Sequence, residues 1–379
     1  MNGKGKKGFL LPPAVGYTWK VLFYLFSHYR PSFKYTFRIL LTLLINLVNT
    51  PFRIYERWMI NPKYQQKELE EPPIFVLGHW RSGTTHLHNL LCQDPTTAYV
   101  TTFQSVFPDT TLGSAGRALF EGFAKLLIPG TRKGDNVVLG TELPQEEEFA
   151  LGDKTPISIY YYWMFPRHLI SSYYKYIRFE GIDPSTIEKW KKDIALLINK
   201  SVENTGKPRF ISKNPPHTAR VSFLLDMYPN ARFIHIHRNP VEVYLSTRNF
   251  FRKMLPHLQI QTVNKEVMDE EIFELYRLLM HDYLEQRSRI PKGQLIEVAF
   301  EDLEKNPMGQ LKEIYDELNL TGFEEARPYF EGYLKKMSSY KKNEHLLSKS
   351  LLDRIMKEWS FAMEEWHYEL PDHIKIEND

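Results

Sequence analysis

Past Pro72-Pro73, hydrophobic positions fall into short runs bounded by turn residues, separated by longer mixed stretches. Ile74 to Leu77 is a four-residue apolar run between prolines and Gly78, the pattern of a parallel strand buried on both faces. A helix follows from about Thr84, with Leu87, Leu90 and Leu91 on one face, and Asp94-Pro95 ends it. Arg209 to Ser212 and Ala231 to His237 predict two more strands, with a helix over Ala219 to Met227 between them. Asn239-Pro240 opens another helix, since Asn caps and Pro suits the first helical position. Leu295 to Phe300 predicts a late strand, and Asn306-Pro307 starts a helix running to about Leu318. Strands alternating with helices predict an α/β fold, a mostly parallel central sheet flanked by helices.

The first 71 residues follow a different pattern and are expected to form a basic helical extension, with the main domain over 72–379 after the polar joint Asn61 to Glu71. Over 17–60, Trp19, Leu22, Phe23, Leu25 and Phe26 mix with Lys20, Arg30, Lys34 and Arg38. Two readings fit: helices packed on the domain, or an amphipathic surface lying on an anionic membrane. The apolar run Ile39 to Val48 is interrupted by Thr42 and Asn46 and lacks a small-residue cleavage pattern, so it does not read as a signal peptide. It is also shorter than the roughly 20 residues that a membrane span requires.

Charge sharpens this division. Residues 1–60 hold nine Lys or Arg and one acid, Glu56, whereas the whole chain carries only +3, which leaves −5 on the remainder. A basic arm on a mildly acidic body argues against a protein that coats nucleic acid. The single Cys92 permits no intramolecular disulfide, which fits a reducing, cytoplasmic compartment. Aromatic residues make up 14% of the chain, which fits either a large core or an apolar acceptor pocket.

Chemistry is concentrated in the segment Gly78-His-Trp-Arg81-Ser82-Gly83-Thr84-Thr85, between the first strand and its helix. Successive backbone N–H groups and a helix N-terminus in that setting cradle an anion. The frame matches the nucleotide-triphosphatase loop at both glycines and at Thr85, but Thr84 stands where that loop has lysine. That lysine offsets the charge of a triphosphate's β- and γ-phosphates, so its loss disfavours ATP or GTP. Arg81 supplies a fork of N–H donors within the loop instead. The strand Phe233 to His237 runs into Arg238 rather than a metal-binding Asp.

These residues resemble the sulfotransferases that use 3′-phosphoadenosine 5′-phosphosulfate (PAPS), whose 5′-phosphosulfate loop reads as a basic residue followed by S/T-G-T-T. The Arg81 form is similar to the tyrosylprotein and bacterial branches. The family holds the 3′-phosphate with a strand-end Arg and a Ser eight residues on, and Arg238 and Ser246 stand at that spacing, about 155 residues beyond the loop. Lys213-Asn-Pro-Pro-His217 resembles an element whose lysine stabilises sulfuryl oxygens in the transition state. Ile296 to Leu303 is similar to the family's late strand, read as architectural, and Lys341-Lys342 to a basic C-terminal segment that covers the 3′-phosphate. The resemblance implies sulfuryl transfer from PAPS, without a metal, to a small-molecule hydroxyl acceptor. A kinase-like protein with a degenerate phosphate loop and a non-catalytic membrane-associated protein are the competing readings.

The proton acceptor is less clearly marked. Phe103-Gln104 stands where the tyrosylprotein branch has its glutamate, and glutamine cannot act as a base. Glu146 and Glu147, in Leu143 to Phe149, are candidates, with His217 as the alternative and His79 and His88 as outsiders. The aromatic run Tyr160 to Trp163, with Phe165, Tyr173 and Tyr174, is a candidate acceptor wall for a sterol or lipid alcohol, and core packing explains the same run.

Overall fold

The computed structural model describes residues 14–127, 140–337, 346–371 and 373–377. Ile74–Leu77 forms strand β1, and all four of its residues are buried. The sheet grows outward from it in the order β2-β3-β1-β4-β5, with β2 at Thr97–Ala98, β3 at Arg209–Lys213, β4 at Arg232–His237 and β5 at Leu295–Ala299. Every pairing is parallel: Ile74 sits beside Ile211 on one side and Arg232 on the other, and His237 pairs with Ala299.

Side-chain alternation along these strands builds two cores. Phe75, Leu77, Phe210 and Phe233 face a large aromatic-rich cluster, whereas Ile74, Val76, Ile211, Ile234 and Ile236 face a smaller aliphatic one. A sheet coated on both faces explains why β1 reads as a continuous apolar run and why all five residues of β3 are buried although only two are apolar. The expected cap holds: Asn239 Oδ1 accepts from the Val241 N–H at 3.0 Å, ahead of the Pro240–Leu258 helix. The segment expected to be helical from Ala219 differs. Pro215–Ala219 is a 3₁₀ turn, and the α-helix spans Val221–Met227, because Pro215-Pro216 removes two backbone donors.

The N-terminal region departs furthest from expectation. Helix α1 spans Trp19–His28 and α2 spans Thr36–Tyr55, continuing through a π turn at Glu56–Ile60 and a 3₁₀ turn at Asn61–Lys63. The helical stretch Phe33–Lys63, 31 residues, is long and apolar enough to cross a membrane by length and composition. The ten-residue reading of Ile39 to Val48 was therefore too short. Thr42 and Asn46 do not interrupt the helix, since both are buried against the body and bonded to backbone carbonyls.

The contact between α2 and the body combines an apolar cluster, in which Leu41, Ile45 and Phe52 meet Phe103, Phe107 and Phe120, with a set of polar bonds. Asn46 Nδ2 donates to the Ala14 carbonyl at 2.8 Å, and Arg53 donates to the Gly16 carbonyl and Asn46 Oδ1, each at 3.0 Å. Glu56 accepts from the N–H groups of Thr111, Leu112 and Gly113, ahead of the Ser114–Leu127 helix, and from Lys200 Nζ at 2.6 Å. Lys200 and Glu56 are both fully buried, so each ion requires the other. Glu56→Ala is expected to lower the free energy of unfolding by about 3–5 kcal/mol, because it removes the acceptor of three backbone N–H groups and the nearer of the two carboxylates beside Lys200, leaving Asp109 at 3.8 Å. Denaturant unfolding checks this, and a loss below about 1 kcal/mol contradicts it.

Candidate active site

Strands β1, β3 and β4 end on the same edge of the sheet, and the chain moves outward from β1 in both directions. Ligands of open parallel sheets bind outside such a switch point. The loop after β1 lies there. Gly78, at φ 142°, abuts the Ile236 carbonyl so closely that a Cβ would collide with it. Thr218 pins the loop's start, its Oγ1 accepting from the Gly78 N–H at 2.8 Å. Gly83, at φ 97°, caps helix α3, Thr84–Leu91, and lies flat on the Phe300 ring. Thr84 and Thr85 form the first turn of α3, whose N–H groups have no intrahelical acceptor. Ser82 is buried, its N–H donating to the His79 carbonyl at 3.1 Å.

Arg81 adopts φ 73°, an unfavourable backbone region for a residue with a Cβ. Its side chain leaves the loop and crosses to the helix after β4, where Nε donates to Ser246 Oγ at 3.0 Å and the guanidinium lies 4.9 Å from the Phe250 ring centroid. Arg238 stacks on the other partner of the loop, 4.6 Å from the centroid of the same Phe300 ring that supports Gly83. Glu242 pairs with Arg238 and also holds His373 Nε2 at 2.8 Å. The structure thus brings Arg81, Gly83, Arg238 and Ser246 to one edge of the sheet. Phe300, in the late-strand segment expected to be architectural, touches both Gly83 and Arg238. Lys341 and Lys342 lie outside the described residues. The described chain that returns to the end of β4 is later: Tyr368 donates to Glu301 at 2.9 Å, and the Glu369 carbonyl accepts from Asn239 at 2.7 Å.

Beside this edge, Lys213, at the end of β3, pairs with Glu146, and both are buried. The Tyr160 hydroxyl donates to the second Glu146 oxygen, and Trp80 Nε1 donates to the Tyr160 oxygen at 3.0 Å. Trp80 comes from the loop itself, so hydrogen bonds run from the loop through Tyr160 to the carboxylate. The three consecutive glutamates separate by direction. Glu148 is fully buried in an ion pair with Arg220, 2.8 Å, and is structural. The Glu147 carboxylate is buried without a hydrogen-bond partner among the described residues, and burial pushes its pKa up to about 8, against the pull of Lys213.

None of the three candidate histidines turns its ring to the Glu146 carboxylate, although His79 belongs to the loop and His88 to α3. His217 is fully buried against Phe75 and Trp190, with Asn214 Nδ2 3.3 Å from its ring nitrogen, and burial followed by the Arg220 charge holds its pKa well below the usual value. His79 and His88 are buried, and desolvation lowers them to about 4 and about 3. Gln104 accepts from Ser201 at 3.0 Å and ties its turn to the Pro184–Thr205 helix. The aromatic run divides. Tyr160 belongs to the Glu146 cluster, and Trp163 meets Phe250, the ring under Arg81, at 5.7 Å. Tyr161 bonds two carbonyls, and Tyr173 bonds Asp282 at 2.6 Å, so these two serve the core. Phe165 packs on Tyr29, and Tyr174 on Arg178.

The chain is similar in sequence and in fold to known proteins. The chain is 29% identical over 336 residues to the omega-hydroxy-beta-dihydromenaquinone-9 sulfotransferase Stf3 of Mycobacterium tuberculosis and of Mycobacterium bovis, covering 89% of this chain and 85% of the relative. Its fold matches the sulfotransferase STF9 of Mycobacterium avium at TM-score 0.65 and 20% identity, over 88% of this chain and 86% of that one. It matches STF1 of M. tuberculosis at TM-score 0.60 and 16% identity, over 90% of each. Residues 72–325, from the strand-loop-helix unit through the Phe300 segment, match the model of the sulfotransferase family, and the chain accordingly belongs to that family and is a sulfotransferase.

Proposed function

We propose that the enzyme transfers a sulfuryl group from PAPS to a hydroxyl borne by a hydrophobic lipid. The observation that carries the donor assignment is the 3.0 Å bond from Arg81 to Ser246, which joins the loop to the helix beyond β4. In this reading the N–H groups of residues 82–85 and the Arg81 guanidinium hold the 5′-phosphosulfate, while Arg238 and Ser246 hold the 3′-phosphate. The lipid acceptor is supported by the relative that acts on an ω-hydroxylated dihydromenaquinone and by the aromatic surroundings of Glu146, which include Tyr160, Trp80 and Phe149.

Glu146 is assigned as the proton acceptor in preference to His217, because it stands between Lys213 and Tyr160 beside the loop while His217 is enclosed by the core. The acceptor hydroxyl gives its proton to a Glu146 oxygen as its own oxygen attacks sulfur in line. The new O–S bond forms while the bond from sulfur to the bridging phosphate oxygen breaks, and the bisphosphate leaves. Lys213 Nζ directs its remaining N–H donors at oxygens whose charge grows in the transition state. Glu147, which keeps its proton below about pH 8, leaves Glu146 as the only negative group of the two next to the reacting oxygens.

Incubation with PAPS and ω-hydroxylated polyprenyl lipids, followed by mass spectrometry, tests the assignment: a gain of one SO₃ on the lipid is expected. Transfer to sugars and phenols with none to lipids overturns the acceptor class. Glu146→Gln is expected to lower kcat by about 100-fold or more with little change in PAPS affinity, and near-normal turnover removes the base assignment. Above about pH 8, ionisation of Glu147 places a second negative charge beside Lys213. Wild-type turnover is therefore expected to fall on that alkaline limb, and Glu147→Gln, which stays neutral, is expected to lose the limb. Superimposable pH profiles contradict this role.

A further inference from the structure

Helix α2 has the polarity of a soluble protein's helix turned inside out. Toward the body it presents Thr42, Asn46, Asn49 and Arg53, followed by Glu56 in the π turn, with Ile45 the one apolar residue buried among them. Toward solvent, the exposed positions from 37 to 59 are Phe37, Leu40, Leu44, Leu47, Val48, Pro51, Ile54, Tyr55, Trp58 and Met59, and none carries a charge. Phe37 is 75% exposed, Leu47 61% and Trp58 78%, and Phe33, one turn earlier, is 92% exposed. Over 23 residues this is an apolar ridge about 35 Å long. The neighbouring Ser114–Leu127 helix extends it with exposed Leu119 and Phe123, and packs on α2 through the Phe52–Phe120 ring contact. Isolated apolar residues on a surface are ordinary, but an unbroken ridge of this length marks an interaction site.

We propose that this ridge docks the enzyme in the plane of an anionic lipid bilayer, with α2 lying in the interface rather than crossing it. Charge selects the occupant. Residues 1–60 carry nine basic residues against Glu56 alone, and that acid is buried on Lys200. Lys20, Arg30 and Lys34 are exposed before the ridge with no acid among them, whereas after it Lys63 precedes Lys67, paired with Glu203, and exposed Glu68 and Glu70, so the cationic excess that an anionic headgroup layer attracts lies at the N-terminal end of the ridge. Polarity selects the orientation. A crossing helix would have to withdraw Arg53, Asn46 and Glu56 from their partners on the body, whereas a helix lying flat keeps every one of those bonds.

The start of α2 is also tied to the helix that carries Ser246. Arg38 donates to the Gln259 carbonyl at 2.7 Å, and Gln259 Nε2 donates to Tyr35 at 2.9 Å, joining the start of α2 to the C-terminal end of the helix that carries Ser246. Thirteen residues of that helix place the start of α2 about 20 Å from Ser246. Leu25, Ile39, Met164 and Ile260 line the seam between, and Met164 follows the aromatic run at Trp163. Docking thus serves the proposed lipid acceptor, although the ridge itself is independent of that assignment.

Co-sedimentation of the full chain with vesicles of phosphatidylcholine and phosphatidylglycerol tests the proposal, with binding of the bisphosphate product of PAPS as the control for folding. The wild type is expected to partition onto the vesicles, more weakly on phosphatidylcholine alone, and brominated lipids are expected to quench its fluorescence, with Trp58→Phe losing much of that quenching. The triple variant Phe37→Ser, Leu44→Ser, Leu47→Ser is expected to partition about tenfold less or lower while binding the bisphosphate normally. Unchanged partitioning of that variant, or a wild type that stays in the supernatant as a dimer, overturns the proposal. Loss of lipid sulfation in solution with vesicle binding intact would count against the acceptor assignment alone.

Discussion

The rest of this architecture depends on one close approach: the loop after β1 must lie against the helix after β4, with the Phe300 ring wedged under both. Gly83 has no side chain because that ring occupies the space a Cβ would need, and Arg238 stacks on the same ring. Arg81 accepts a left-handed backbone so that its guanidinium can leave the loop and reach Ser246. Backbone strain of this kind costs of order 1–3 kcal/mol and persists where the surroundings hold it. Here they are a buried loop, the Thr218 anchor and the Trp80–Tyr160 bond. The loop is thereby connected to the Glu146–Lys213 pair by two hydrogen bonds, from Trp80 in the loop to Tyr160 and from Tyr160 to the carboxylate.

A second economy lies in the polar groups under α2. A helix that shows an apolar face outward cannot be held by the hydrophobic effect along that face, so its attachment must come from the other side. Glu56 does this by satisfying three backbone N–H groups and the buried Lys200 together, and Arg53 by bonding two carbonyl-type oxygens. Buried polar networks of this sort are costly when half made and rigid when complete. The same network that fixes the helix leaves its apolar face free for a partner of low polarity.

Much of the fold was legible in the chain because the sheet is covered on both faces. Ile74 to Leu77 and the β4 segment advertise themselves as apolar runs, and Asn239-Pro240 fixes a helix start by local chemistry alone. The proximity of the loop to Arg238 and Ser246 was legible for a related reason, since glycines and basic residues at fixed spacing mark the ends of neighbouring parallel strands. What the chain concealed depends on tertiary direction. Three glutamates in a row are identical as letters, yet one meets Lys213, one meets no hydrogen-bonding group and one meets Arg220. His217 follows a plausible motif but points into the core between Phe75 and Trp190. Thr42 and Asn46 look like interruptions of an apolar helix until its body-facing side is known to be the polar one.

The assignment of Arg238 and Ser246 to the nucleotide's 3′-phosphate is the most exposed part of the account. Isothermal titration without divalent metal, comparing adenosine 3′,5′-bisphosphate with adenosine 5′-monophosphate on the wild type and on Arg238→Ala, reads it directly. Charge-assisted bonds of about 1.5–3 kcal/mol each predict that the bisphosphate binds at least tenfold more tightly to the wild type, and that Arg238→Ala erases most of the difference. Equal affinity for the two nucleotides, or a preference that survives in the variant, contradicts it.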